Sequence, residues 1–258
     1  ARGGQVALGA WGRRPPRASA DPPRSRTRAR RTPLPMRSQE LRRRLGAARV
    51  MLIFSAGQPG ADLSRLAELA PEVDIVQVRV KAPGRRSGPS PAAELLRWTC
   101  LAADRIAELA PERRPLLFVN DRADVAKLLA ERIDGLHLGQ DDAPPAAVRD
   151  WIGAELLLGY STHSLAQVAR AQELPIDCLG FGTVFASQTK GYRDGLGPER
   201  AQMAAAGSVL PVFPIGGIDL ARANELAPVG RAAVGAALLE APDPVAAARA
   251  LRAALEPL

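Results

Sequence analysis

Residues 115–142 read PLLFVNDRADVAKLLAERIDGLHLGQDD. An aliphatic run, Pro115 to Asn120, leads into a helical segment starting near Arg122, and a second short run, Gly135 to Leu138, follows. A strand, a helical crossover and a second strand make a parallel pair, because the helix returns the chain to the edge from which it left. Both strands end in polar residues, Asn120-Asp121-Arg122 and His137-Leu138-Gly139-Gln140-Asp141-Asp142.

Outward from this stretch the same unit recurs. Strands are predicted at Val50–Phe54, Asp74–Arg79, Pro115–Asn120, Gly135–Leu138, Leu156–Tyr160, Cys178–Gly182, Val212–Ile215 and Ala232–Val234. Helical patterns lie between them, as in Pro91–Leu109, where Leu95, Trp98, Leu101, Ala102 and Ile106 share a face, and a last helix is expected near Pro244–Leu255. An open doubly wound sheet also alternates strand and helix but rarely has eight strands with connections this even. The expectation is an α/β fold, a single (β/α)8 TIM barrel, for which 258 residues is an ordinary length.

Composition narrows the function classes. At 47% hydrophobic the chain can build a large core, and 4% aromatic argues against stacking platforms for single-stranded nucleic acid. No uninterrupted apolar run approaches the roughly 18 residues of a membrane span, so a soluble, cytoplasmic protein is expected. Cys100 and Cys178 have neither metal-knuckle nor CxxC spacing. The net charge of +8 is unevenly distributed: residues 1–49 hold 14 arginines against Asp21 and Glu40, so the remainder is mildly acidic. A nucleic-acid partner is therefore not expected of the folded body. The division read here is a disordered Arg/Pro-rich extension over 1–45 and a catalytic barrel over 46–258. The extension reads as a non-functional leader upstream of a start at Met36, a transit peptide or a basic nucleic-acid arm; composition favours the first, and sparse serine counts against the second. A short basic helix covering the barrel floor is expected within Gln39–Arg49.

In a barrel every loop that follows a strand opens on one rim, where barrel enzymes place their sites. Gln77, Arg79 and Lys81 alternate at the end of the second strand and face the same side. Inward cations are costly without an anion, so a diphosphate is one partner; neighbouring carboxylates at a solvated strand end are the other. Asp121 and Asp142 follow adjacent strands and present hard oxygen donors without histidine or cysteine, which suits Mg2+. Each also stands where it can cap the next helix, and Asp141 is a rival ligand. Gly216-Gly217 and Val234-Gly235 fall where barrels cradle phosphate, with Ser187, Thr189 and Lys190 in the preceding loop. His137 reads as structural, and His163 as a general base or a loop anchor. Neither a Ser/His/Asp elbow nor a Rossmann glycine fingerprint is present.

From Val50 to Leu258 the ordered segments QVRVK, VNDR, DGLHLGQDD, GYSTHS, SQTK and PIGGI resemble the thiamine-phosphate synthase family, in the superfamily shared with the thiazole tautomerases. The resemblance implies a (β/α)8 transferase that joins hydroxymethylpyrimidine diphosphate to thiazole phosphate, releasing pyrophosphate. It implies that Gln77, Arg79, Lys81, Asn120 and Lys190 hold the diphosphate substrate, with Ser161 at the pyrimidine. Asp121 and Asp142 would bind Mg2+, and Ser187, Thr189, Gly217, Val234 and Gly235 the thiazole phosphate. Partners are then two small molecules, with a homo-oligomer left open. Three departures bear on the second phosphate site: Ser187 stands where the family usually has threonine, Gly235 where it usually has serine, and the connection from Gly217 to Val234 is short. The competing readings are a tautomerase using His163 and a non-catalytic barrel that binds a thiamine precursor or, through its tail, RNA.

Overall fold

A computed structural model describes residues 35–80, 90–186 and 195–256. Residues 1–34 of the expected extension lie outside the described residues. Eight parallel strands close in sequence order: β1 Val50–Ala56, β2 Ile75–Val80, β3 Leu116–Asn120, β4 Gly135–Leu138, β5 Leu157–Thr162, β6 Cys178–Gly182, β7 Val212–Ile215 and β8 Ala232–Val234, with β8 returning to β1. The helices are α1 Met36–Ala47, α2 Leu63–Leu69, α3 Pro91–Ala107, α4 Ala123–Leu128, α5 Pro145–Ile152, α6 Leu165–Ala171, α7 Pro198–Ala206, α8 Leu220–Ala223, α9 Ala236–Leu239 and α10 Pro244–Ala254. The expected closed barrel is what forms. β1 and β5 run two residues farther than predicted, because Ser55, Ala56, Ser161 and Thr162 stay paired with Arg79, Val80, Gly180 and Phe181 despite their loop-like composition. None of the described helices is long and apolar enough to cross a membrane.

Period-two alternation divides the core in two. Outward residues such as Leu52, Phe54, Val76, Val78, Leu117 and Val119 pack under the helices. Inward residues Met51, Ile53, Ile75, Leu116, Phe118, Leu157, Cys178, Phe213 and Ala233 fill the lower barrel, and Leu41, Leu45 and Ala48 join that inner cluster from below. Helix α1 is thus a floor plug. Leu41 and Leu45, one helical turn apart, point the same way, and their burial is worth roughly 1.5–3 kcal/mol each. The boundary expected between 45 and 46 falls inside this helix, because the apolar pair that anchors it is set among arginines and does not stand out as an apolar run.

Three aspartates fasten the floor. Asp74, ahead of β2, accepts from Arg49 and Val50 N–H at 2.8 Å each; Asp134, ahead of β4, accepts from Leu117 N–H at 2.9 Å; Asp177, ahead of β6, accepts from Leu158 N–H at 2.8 Å. Each carboxylate also meets an arginine: Arg252 at 2.9 Å from Asp74, Arg37 at 3.9 Å from Asp134, and both Arg42 at 2.9 Å and Arg149 at 2.7 Å from Asp177. Ahead of β8 the corresponding position is Arg231, which donates to the Ala48 and Gly46 carbonyls at the end of α1. Much of the N-terminal arginine in the folded part is therefore structural.

Candidate functional site

Moving up the barrel interior, the inward residues change from apolar to polar. Above Ile75 on β2 come Gln77 and then Arg79; above Phe118 on β3 comes Asn120; His137 on β4 and Ser161 on β5 complete the layer. These side chains, with Asp121, Gly139, Gln140, Asp141, Asp142, Thr162 and His163, line a cavity of about 510 Å3. A second cavity of about 160 Å3 adjoins it between the ends of β1, β7 and β8, lined by Ser55, Gln58, Gly216, Gly217, Val234, Gly235, Ala236 and Glu240. Arg79 lines both. Of the expected residues, Gln77, Arg79, Asn120, Asp121, Asp142 and Ser161 thus share one cavity, and Gly217, Val234 and Gly235 share the other. Lys81, Ser187, Thr189 and Lys190 lie outside the described residues.

The helix caps show what Asp121 and Asp142 do not do. Helices α2, α3, α6, α8 and α10 start with Asp62, Ser90, Ser164, Asp219 or Asp243, each accepting a first-turn N–H. Helices α4 and α5, which follow the two aspartates, begin at Arg122 and Pro144 with no side-chain cap. Asp121 instead turns back through a left-handed conformation, φ 64°, and its carboxyl lies close enough to that of Asp142 for the two to interact. Asp142 also accepts from Gly139 N–H at 2.7 Å. Crowding by protein atoms, then the neighbouring Asp142 charge, push the Asp121 carboxyl up to about 6, only partly offset by Arg79 and by Asn120. Asp121 reaches solvent at the rim all the same, so a ligand has access to it.

Arg79 makes no hydrogen bond or ion pair among the described residues, although it is half-buried. The arginines at the floor are satisfied by carboxylates or carbonyls, as with Arg149 and Arg231. No carboxylate forms an ion pair with Arg79 among the described residues, although its charge acts on the nearby Asp121. Two carboxylates with no histidine or cysteine between them fit a divalent cation of the Mg2+ type, which takes few protein ligands and completes its shell with water and phosphate oxygens. No group of three or more acidic, histidine or cysteine side chains among the described residues competes as an all-protein metal cage.

The histidines differ from a purely local reading. His137 was expected to be structural, yet its ring faces the larger cavity, with Nε2 3.0 Å from the Ser161 hydroxyl. The ring occupies space that side chains at Gly159 and Gly180 would fill: a Cβ at Gly159 would lie 2.3 Å from Nδ1. The signal was the inward position of His137 opposite glycines on β5 and β6. His163 holds its loop, with Nδ1 2.5 Å from the Gly182 carbonyl and its backbone N–H on Gln167. The sequence reading also passed over Gln140, whose amide donates to the Ser161 carbonyl at 2.5 Å. In the smaller cavity Gly217 has φ 62°, and a Cβ there would meet the Ala186 carbonyl oxygen at 2.6 Å, so only glycine lets the chain approach. The first turn of α9 follows Gly235, and first-turn N–H groups have no partner within their helix. The short Gly217–Val234 connection contains α8, a single turn.

Comparison with known proteins adds to this geometry. A family model described as thiamine monophosphate synthase matches residues 50–241. A thiamine-phosphate synthase from Mycobacterium sp. (strain JLS) is 42% identical over 219 residues, covering 82% of this chain and 94% of its own. One from Saccharopolyspora erythraea is 38% identical, covering 83% and 96%. The solved structure of a thiamine phosphate pyrophosphorylase from Pyrococcus furiosus superposes with a TM-score of 0.67 at 28% identity, over 83% of this chain and 97% of that one.

Proposed function

The chain belongs to the thiamine monophosphate synthase family, and from that premise we propose how its rim carries out the family's reaction. It joins hydroxymethylpyrimidine diphosphate to thiazole phosphate, giving thiamine phosphate and pyrophosphate, and is a transferase of the pyrimidinylmethyl group. The bond between the pyrimidine methylene and the diphosphate oxygen breaks, and its electron pair leaves with pyrophosphate. The thiazole nitrogen then donates its lone pair to the methylene carbon. No protein nucleophile is needed, so the residues act by holding charge and by alignment.

In this reading Gln77, Arg79, Lys81, Asn120 and Lys190 hold the diphosphate substrate, and Ser161 orients the pyrimidine. Asp121 and Asp142 would hold Mg2+, which when bound would neutralise charge developing on the departing diphosphate. Ser187, Thr189, Gly217, Val234 and Gly235 would receive the thiazole phosphate. A cytoplasmic location belongs to the same proposal. The observation that carries it is Arg79, without a hydrogen bond or ion pair among the described residues, lining two adjoining cavities, one with paired carboxylates and the other with a glycine cradle. Two anionic substrates then meet across one guanidinium.

The test is to supply both substrates with Mg2+ and measure thiamine phosphate and pyrophosphate together. Equal amounts of the two are expected. Rearrangement of the thiazole alone, without pyrophosphate, would replace this reading with a tautomerase.

A further inference from the structure

The smaller cavity contains a polar side chain that none of the above uses. Ser55 is the last inward residue of β1, paired in register with Arg79 of β2. It is 8% exposed and lines the smaller cavity but not the larger. Its hydroxyl has no hydrogen-bond partner among the described residues. The hydroxyl oxygen keeps contact with the cavity space, so it is free to hydrogen-bond whatever fills that space. The open direction here is the cavity.

We propose that the Ser55 hydroxyl donates to the phosphate of the thiazole substrate and sets the affinity for that substrate. The inference rests on the synthase reading above and adds a residue to it. The division of the two cavities carries the argument. The paired carboxylates line only the larger cavity, so a diphosphate with its metal belongs there and the smaller space is left to a monophosphate. At this end of the barrel Arg79 and Ser55 stand side by side, a cation and a hydroxyl donor aimed at one anion. Gly235, just after the neighbouring strand β8, contributes no side-chain donor, although a Cβ there would meet nothing closer than the Ile53 carbonyl oxygen at 3.4 Å. Glu240 at the mouth opposes an anion. Its presence raises the need for a close donor inside.

The experiment compares full-length wild type, Ser55→Ala, Ser55→Thr and the double variant Ser55→Ala with Gly235→Ser. Steady-state constants are measured for each substrate at saturating Mg2+, with calorimetric binding of thiazole phosphate and thermal unfolding as a fold control. Ser55→Ala should raise the thiazole phosphate KM and dissociation constant roughly tenfold, as expected for one hydrogen bond to a charged group. It should leave kcat and the pyrimidine diphosphate KM within about twofold of wild type. Ser55→Thr should retain most of the affinity, and Gly235→Ser should recover part of it by placing a new hydroxyl in the same cavity. A folded Ser55→Ala enzyme with unchanged thiazole phosphate affinity overturns the proposal, as does a loss confined to the pyrimidine substrate. If Ser55→Ala fails to fold, the proposal stands or falls on whether Gly235→Ser alone tightens thiazole phosphate binding. A wild-type chain that binds thiazole phosphate but forms no product sinks the synthase reading instead, while calorimetry still reads the Ser55 contact.

Discussion

At the floor of the barrel, Asp74, Asp134 and Asp177 each accept a strand N–H and face an arginine; at the rim, Asp121 and Asp142 face each other, and the nearby Arg79 forms no hydrogen bond or ion pair among the described residues. One residue type serves two ends of one barrel in opposite ways. At the floor the charges are discharged within the fold, so what they determine is stability. At the rim like charges are held close, with the carboxyl of Asp121 pushed up to about 6 and only partly relieved by Arg79 and Asn120. The difference teaches that incomplete pairing, and not the presence of charge, is what sets the proposed site apart from the floor.

The contrast can be broken most severely from below. A chain beginning at Arg49, which lacks α1, should expose the inner cluster around Met51, Ile75 and Leu116 and fail to fold cooperatively, as read by circular dichroism on heating. Asp177→Ala should cost about 3 kcal/mol in denaturant unfolding, because it removes the carboxylate that Arg42 and Arg149 share and leaves the Leu158 N–H without its acceptor. Both KM values should stay at wild-type levels in that variant. Asp121→Ala should do the reverse: turnover falls on the order of a hundredfold or more while the unfolding midpoint holds or rises, since a repulsive pair is removed. An equal drop in both properties would erase the distinction between the two ends. Smallest of all, a chain beginning at Met36 should match the full chain in rate and stability, because it retains the whole plug; loss of turnover on that truncation would give residues 1–35 a role that the barrel does not predict.

Much of this arrangement was legible in the sequence. Period-two runs such as LLFVN and GLHL, and the polar residues after them, gave the strands, their number and the functional end. Gln77 and Arg79 were readable as an inward pair because alternation alone sets their side. Other features depend on contacts that no local pattern encodes. The plug helix was read as a short basic cover and its start hidden, since arginines surround Leu41 and Leu45. Ser55 was passed over because Ser-Ala-Gly reads as a loop, and only pairing with Arg79 and Val80 keeps it in the strand. Capping and metal binding read equally for Asp121 from the sequence, and it is the backbone, with φ 64° and an uncapped α4, that removes the capping role. His137 looked structural, since nothing in GLHL reveals that two distant glycines clear a place for its ring beside the cavity.

The central claim is that the rim carboxylates work as a pair upon a cation and a departing diphosphate. Its most direct test is a Mg2+ titration of pyrophosphate release, with chelator as the zero point, in wild type and in Asp121→Asn. The account predicts no release without the metal, saturable release with it, and a variant that needs far more Mg2+ to reach half its own maximum. Release that persists in chelator, or identical titrations for the two proteins, would contradict it.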